Sequence, residues 1–278
     1  MAELPETLKG CLDASAVILI RDSDVGPEVF LVQRHSKSKF MAGAYVFPGG
    51  KVDPADCSPA PEGTHGLDEG DGWLDVLDVT PGTRLTKERA LGFCRAACRE
   101  LHEEAGVDLG IDTKGHGASA LTYYAHWVTP SFEKRRFDTR FFVAQLPAGQ
   151  NAVHDSHECV DSRWVSFGKA LKEQAAGLLL LPPPTLKIIA ELSNFENCRE
   201  LLEYASRVVV EAWMPKAVKG GEEGEFTILL PWDTAYEATV GDSLALADAA
   251  GAAARTEGVS RLELVDGRWK MLPRWAEG

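Results

Sequence analysis

Glu100, Glu103 and Glu104 lie within five residues of one another, in a stretch whose apolar residues recur at helical intervals. On an α-helix, positions i, i+3 and i+4 share a face, so the three carboxylates would stand close together. Like charges at that spacing cost an isolated helix roughly 0.2–0.5 kcal/mol per pair. A helical wheel also puts Glu104 at the edge of the apolar stripe, where a carboxylate is expensive to desolvate. A hard divalent cation relieves both problems, because magnesium takes oxygen ligands and combines carboxylates with the phosphate oxygens of a substrate. The alternative is a solvated acidic face, the commoner fate of glutamate on a helix. The three residues alone leave both readings open.

The helix that would carry them runs from about residue 86 to 105, with Ala90, Cys94, Ala97, Leu101 and Ala105 on one stripe and Gly106 at the position of a left-handed C-cap. Ahead of it, residues 16–20 and 29–33 read as two buried strands joined by the turn-rich residues 22–27. Tyr45, Val46 and Phe47 read as a third strand, stopped by Pro48-Gly49-Gly50. Residues 51–85 are rich in Pro, Gly and Asp, a loop long enough to be functional. Strand patterns return at 123–128, 140–145 and 163–165, and helical patterns at 168–176, 184–192 and 196–205. The tail from Arg207 offers strand-like runs at 208–210 and 226–230, an Ala-rich helix at 243–254, and a hairpin over 261–272 turning at Asp266-Gly267. Strands alternating with helices predict a layered α/β domain with a mixed sheet.

Composition narrows the partners. The 278 residues are 45% hydrophobic and 26% charged, as expected of a globular chain that can bury a sizeable core. A formal net charge of −13 disfavours nucleic acid and anionic membrane, both of which select basic surfaces. A phosphorylated small molecule remains compatible, since a metal ion and a local basic cluster override the global sign. The richest apolar run, residues 177–181, is stopped by Pro182, Pro183 and Pro184 and is too short to span a bilayer. Residues 1–10 lack the apolar core of a signal peptide. The six cysteines are scattered with no CxxC, so reduced structural thiols and a cytoplasmic location are expected. The expected partner is a small-molecule nucleotide, with neither nucleic acid nor membrane; an oligomer is compatible but not readable.

The segment Arg99-Glu100-Leu101-His102-Glu103-Glu104-Ala105-Gly106-Val107 resembles the second half of the Nudix box, Gly-x5-Glu-x7-Arg-Glu-U-x-Glu-Glu-x-Gly-U, where U is aliphatic. Every specified position matches. Phe47-Pro48-Gly49-Gly50 resembles the strand-to-loop entry of the same family, with Gly50 as the first glycine of the box. Gly50 and Arg99 are 49 positions apart where the box has 14, so about 35 residues are inserted. Counting back from Arg99, the first glutamate of the box falls on Leu91. The family uses that glutamate to support the arginine, so the partner of Arg99 is in question, with Glu88 the weak candidate to replace it.

An interrupted box resembles one branch, the Nudix proteins related to mammalian nucleoside-diphosphate-linked moiety X motif 19. The likeness continues through Trp127-Val128-Thr129-Pro130, residues 136–142, Gly149-Gln150, Asp155, Glu158 and Trp164, and more loosely through 181–185 and 230–231. It implies a Nudix α/β/α sandwich with a mixed sheet, forming a single elaborated domain over 1–278. The insertion would occupy 51–85, and 207–278 would be a C-terminal extension packed on the core.

The resemblance also implies the chemistry: magnesium- or manganese-dependent attack of water on a diphosphate. Glu100, Glu103, Glu104 and the Gly50 carbonyl would hold the metal beside Arg99. The general base would be a box glutamate or a loop carboxylate, with Glu158 the leading one. A CoA signature seen in CoA-cleaving members resembles the segment before the box, with Gly43 in place and Lys39 where arginine is usual. Leu31 and Arg34 fit its strand, and His35 replaces a small residue. Arg34, His35, Lys37 and Lys39 would meet the 3′-phosphate of CoA, or else form a solvated basic strand end. Arg135, Arg136 and Arg140 make a second basic group. Arg136 is a candidate substrate contact, whereas Arg140 also suits a structural role inside its strand. With CoA the products would be 3′,5′-ADP and 4′-phosphopantetheine or its acyl form. The alternatives are another nucleoside diphosphate derivative, such as ADP-ribose, NADH or a dinucleotide, and a non-catalytic nucleotide-sensing module. Modules of that kind usually lose box glutamates, and all three are present here.

Overall fold

The computed structural model describes residues 6–35, 42–58, 85–110, 120–155, 159–219, 226–244 and 258–273. A long strand, β1 (Cys11–Ser23), is buried without interruption from Ala14 to Ile20. A buried stretch of that length means that both faces of the strand are covered. β2 (Gly26–Arg34) runs antiparallel to β1, with Val29 opposite Ile20. β6 (Arg136–Gln145) runs parallel to β1 along ten residue pairs, from Cys11 opposite Arg136 to Ile20 opposite Gln145. With β3 (Tyr45–Val46), β5 (Thr122–Val128) and β8 (Ala212–Trp213), these give the order β3-β2-β1-β6-β5-β8. β4 (Gly49–Lys51) adds to β1, and β7 (Cys159–Ser166) adds to β2. The β1–β6 and β5–β8 pairs are parallel and the rest antiparallel, so the sheet is mixed, as expected.

The period of two along β1 divides its side chains between two layers. Val17 and Leu19 join Phe30, Val32 and the apolar stripe of helix α1 (Lys87–Ala105), namely Ala90, Phe93, Cys94, Ala97 and Leu101. Ile18 and Ile20 join Val29, Leu31 and side chains of α2 (Phe167–Ala175), α3 (Pro183–Glu191) and α4 (Cys198–Ala205). The result is an α/β/α arrangement. α1 begins where expected, because the Thr86 side chain accepts from the Arg89 N–H. It stops at Gly106, which takes φ 67 and donates to the His102 carbonyl, the left-handed cap that glycine adopts without a steric penalty.

Past α4 the chain builds a second, antiparallel sheet, ordered β12-β11-β10-β9, from β9 (Lys216–Lys219), β10 (Phe226–Leu229), β11 (Val259–Val265) and β12 (Arg268–Pro273). Its Ile228, Leu262 and Trp269 belong to the same core cluster as Tyr124, Trp127 and Phe141 of the first sheet. The β11–β12 hairpin turns at Asp266 (φ 50) and Gly267 (φ 72), the paired positive φ values of a type I′ turn.

Two expectations need correction. Residues 208–210 form no strand, because α4 ends in turns at Ser206 and Arg207, and the Val208 N–H still donates to the Ala205 carbonyl. The strand pairing begins at Ala212 instead. β6 starts four residues earlier than its apolar run, at Arg136, because its polar residues are also buried. Asp138 bonds His126 of β5, and the Arg140 guanidinium stacks 3.8 Å from the Phe93 ring. The Ala-rich helix expected at 243–254 lies outside the described residues from 245 onward. All six cysteines are free thiols, and among the described residues no helix is long and apolar enough to cross a membrane.

Candidate active site

Two glycines let a short strand sit between the sheet and the acidic helix. β4 pairs Gly49 with Ala16 and Gly50 with Ser15 of β1. A Cβ on Gly49 would lie 2.3 Å from the Ser15 carbonyl oxygen, and one on Gly50 would lie 2.3 Å from Oε1 of Glu100. A side chain at Gly49 would push the strand off β1, and one at Gly50 would displace the Glu100 carboxylate. With glycine there, the Gly49 N–H donates to Oε2 of Glu104 at 2.8 Å. Glu104 is 8% exposed, so this bond offsets part of its desolvation. Glu100 lies against the Gly50 backbone, and Glu103 on the same face is exposed.

Arg99 ties this face together. Its Nη1 donates to Glu100 at 2.9 Å and to Glu103 at 3.1 Å. Its Nη2 donates to the Lys51 carbonyl at 2.9 Å and to Oδ2 of Asp56 at 3.0 Å, and its Nε reaches Oδ1 of Asp56 at 3.3 Å. The hydrogen bonds it donates to Asp56, followed by the one it donates to Glu100, raise the guanidinium pKa further, so Arg99 is a permanent cation.

Asp56 answers the question left by Leu91. Counted forward from Gly50, the box glutamate falls on residue 56, where this chain has aspartate. Counting back from Arg99 crossed the inserted residues and missed it. Gly50 to Asp56 thus keeps the spacing of the box, within the segment expected to be inserted at 51–85. Asp56 is 6% exposed and also accepts from the Asp53 N–H at 2.9 Å. Glu88 sits in the first turn of α1, three turns before Arg99, and takes no part.

The glutamates face a cleft of about 590 Å³ whose floor crosses β1, β6 and β5. Arg99, Lys51, Asp53 and Arg34 line it with them. So do residues that the sequence reading left out, among them Glu133, Phe132, Phe226 and Trp269. The donor set suits a hard cation, since three carboxylates and a glycine backbone offer only oxygen. Among the described residues, no three His, Cys, Asp or Glu side chains are arranged to hold an ion. The reason is visible in the bonding: Arg99 holds Glu100 and Glu103, while Glu104 is turned to the Gly49 N–H.

The remaining candidates separate. Arg34 lines the cleft, and its buried Nε has no hydrogen-bond partner among the described residues. Gly43 (φ 73) closes the turn beneath it, donating to the Arg34 carbonyl at 3.2 Å. Arg136 does not fit a substrate contact. It donates to the carbonyls of Thr7, Lys9 and Thr129, and its neighbour Arg135 lines the cleft instead. Lys37, Lys39 and Glu158 lie outside the described residues.

No family model matches the chain. A Nudix hydrolase structure from Alicyclobacillus acidocaldarius superposes with a TM-score of 0.53 at 21% identity, covering 69% of this chain and 96% of that one. The fold is therefore that of a Nudix hydrolase structure, and the residues Arg99 to Val107 on α1, with the glycine pair against them, resemble the Nudix box. By sequence the chain is also similar to curated Nudix proteins. It is 26% identical to acyl-coenzyme A diphosphatase NUDT19 of Gallus gallus, over 77% of this chain and 75% of that protein. It is 26% identical to the Homo sapiens protein of the same name, over 80% and 73%. The putative nudix hydrolase 7 of Caenorhabditis elegans is 24% identical over 80% and 74%.

Proposed function

We propose that this chain is a magnesium-dependent hydrolase that cleaves the diphosphate of CoA or an acyl-CoA to 3′,5′-ADP and 4′-phosphopantetheine or its acyl form. The observation that carries the reading is the wall of Glu100, Glu103 and Glu104 beside Gly50 on one cleft. The names of the NUDT19 relatives support CoA over other diphosphates. Glu100, Glu103, Glu104 and the Gly50 carbonyl would hold magnesium, and manganese suits the same donors. When bound, the ion screens phosphate oxygens and lowers the pKa of a water. Arg99 limits repulsion among the glutamates and fixes the box loop through Asp56. Arg34 lines the same cleft, and its guanidinium would meet an anionic part of the substrate. Lys39 would meet the 3′-phosphate, and Glu158 or a box glutamate would take the proton of the attacking water. A small nucleotide substrate and a cytoplasmic setting accompany this reading.

The test compares kcat/KM for CoA, dephospho-CoA, ADP-ribose and NADH with magnesium present. A charge-assisted contact to the 3′-phosphate is worth roughly 1.5–3 kcal/mol, so CoA is expected to exceed dephospho-CoA by about tenfold to a hundredfold. Lysine lacks the bidentate fork of arginine, which favours the lower end of that range. Lys39→Ala is expected to narrow the gap. Equal rates for CoA and dephospho-CoA would mean that the basic cluster does not read the 3′-phosphate. Hydrolysis of ADP-ribose or NADH with none of CoA would overturn the substrate assignment.

A further inference from the structure

The cleft that holds the glutamates also has an aromatic part that diphosphate chemistry does not require. Phe132, on the connection between β5 and β6, is 48% exposed. Its ring meets Phe226 of β10 at 5.4 Å and 69°, and Phe226 meets Trp269 of β12 at 6.3 Å and 70°. Ile228 and the prolines 182–184 extend the same lining. Glu133 and Arg135 border this part of the cleft, and an exposed phenylalanine packed on other aromatic rings within it marks a surface that gains by being covered.

We infer that this aromatic part, built by the C-terminal sheet together with Phe132, holds the acyl chain of a CoA ester and makes the ester a better substrate than free CoA. The inference rests on the reading that CoA diphosphate is cleaved here, and it assigns a role to the extension that the box does not supply. The diphosphate, the 3′-phosphate and the pantetheine amides are polar and call for donors. Proline supplies no backbone N–H, and phenylalanine and isoleucine carry no polar side-chain atom. The rings meet edge to face, so they leave no pair of parallel faces between which a purine could slide. A flexible methylene chain needs no such slot and gains with each group it buries.

The test uses the full chain with magnesium and measures kcat/KM for free CoA, acetyl-CoA and octanoyl-CoA. A fully buried methylene is worth about fourfold, so even partial burial predicts a preference for octanoyl-CoA over free CoA of at least about tenfold. Phe132→Ala and Phe226→Ala are each expected to lower that ratio to about threefold or less. Phe132 lies on an exposed turn, so its variant keeps the test valid if the Phe226 variant misfolds. A wild-type ratio near one, or a ratio that neither variant changes, would overturn the inference. Equal losses on CoA and octanoyl-CoA would also overturn it, because both carry adenine and only one carries the chain. Turnover of ADP-ribose with none of any CoA compound would instead remove the functional reading beneath it.

Discussion

Glu103→Gln and Glu104→Gln are each expected to cut turnover at least about a hundredfold while leaving the fold intact. Bound metal typically supplies several kcal/mol of transition-state stabilisation, and each 1.36 kcal/mol is tenfold in rate. Glutamine keeps the shape and one acceptor oxygen but loses the charge that would hold a cation. At Glu104 that oxygen can still accept from the Gly49 N–H, and at Glu103 the side chain is 56% exposed. Stability is therefore expected to change by less than about 1 kcal/mol in either variant. The measurements are kcat at saturating magnesium and a thermal melt. Near-normal turnover in both variants would remove these residues from the metal site.

Arg99→Ala is expected to lose both stability and activity, through Asp56. The Asp56 carboxylate is 6% exposed and, among the described residues, would keep only the Asp53 N–H as a partner. Removing one member of a buried pair costs about 3–5 kcal/mol. Arg99 is itself 29% exposed and solvent screens it, so about 2–3 kcal/mol is the better expectation. That would lower Tm by about 5–10 °C in a chain of this size. Glu100 and Glu103 would also lose the cation between them. Asp56→Asn should be milder, since it leaves no buried charge unpaired. An unchanged Tm in Arg99→Ala would show that the pair contributes nothing to the folded state.

The acidic helix was legible because its signals are local. Thr86 caps it, Gly106 ends it, and the apolar stripe between them keeps a helical period. The strands β1 and β2 were legible as continuous apolar runs for the same reason. What sequence reading missed depends on distant packing. Asp56 meets Arg99 across 43 residues of chain, and only a forward count from Gly50 would have found it. The start of β6 was hidden because Asp138 and Arg140 are polar residues whose burial depends on His126 and the Phe93 ring on other elements. Valines 208–210 read as a strand, but a three-residue apolar run has no period of its own to separate a strand from the turn that ends a helix. The aromatic part of the cleft escaped notice because Phe132, Phe226 and Trp269 are widely spaced in sequence and meet only when the second sheet lies against the first. We propose that residues 207–278 form one folding unit with the Nudix core, consistent with the place of Ile228, Leu262 and Trp269 in the main core cluster.

The reaction proposed for this cleft is metal-dependent attack of water on the diphosphate of CoA. Its most direct test is to incubate the enzyme with CoA in oxygen-18 water, with and without magnesium, and to weigh the products. The account predicts no cleavage in a chelator; with magnesium, it predicts 3′,5′-ADP and 4′-phosphopantetheine carrying one heavy oxygen between them, on a single phosphate. Cleavage that continues in the chelator, or products that carry no label, would contradict it.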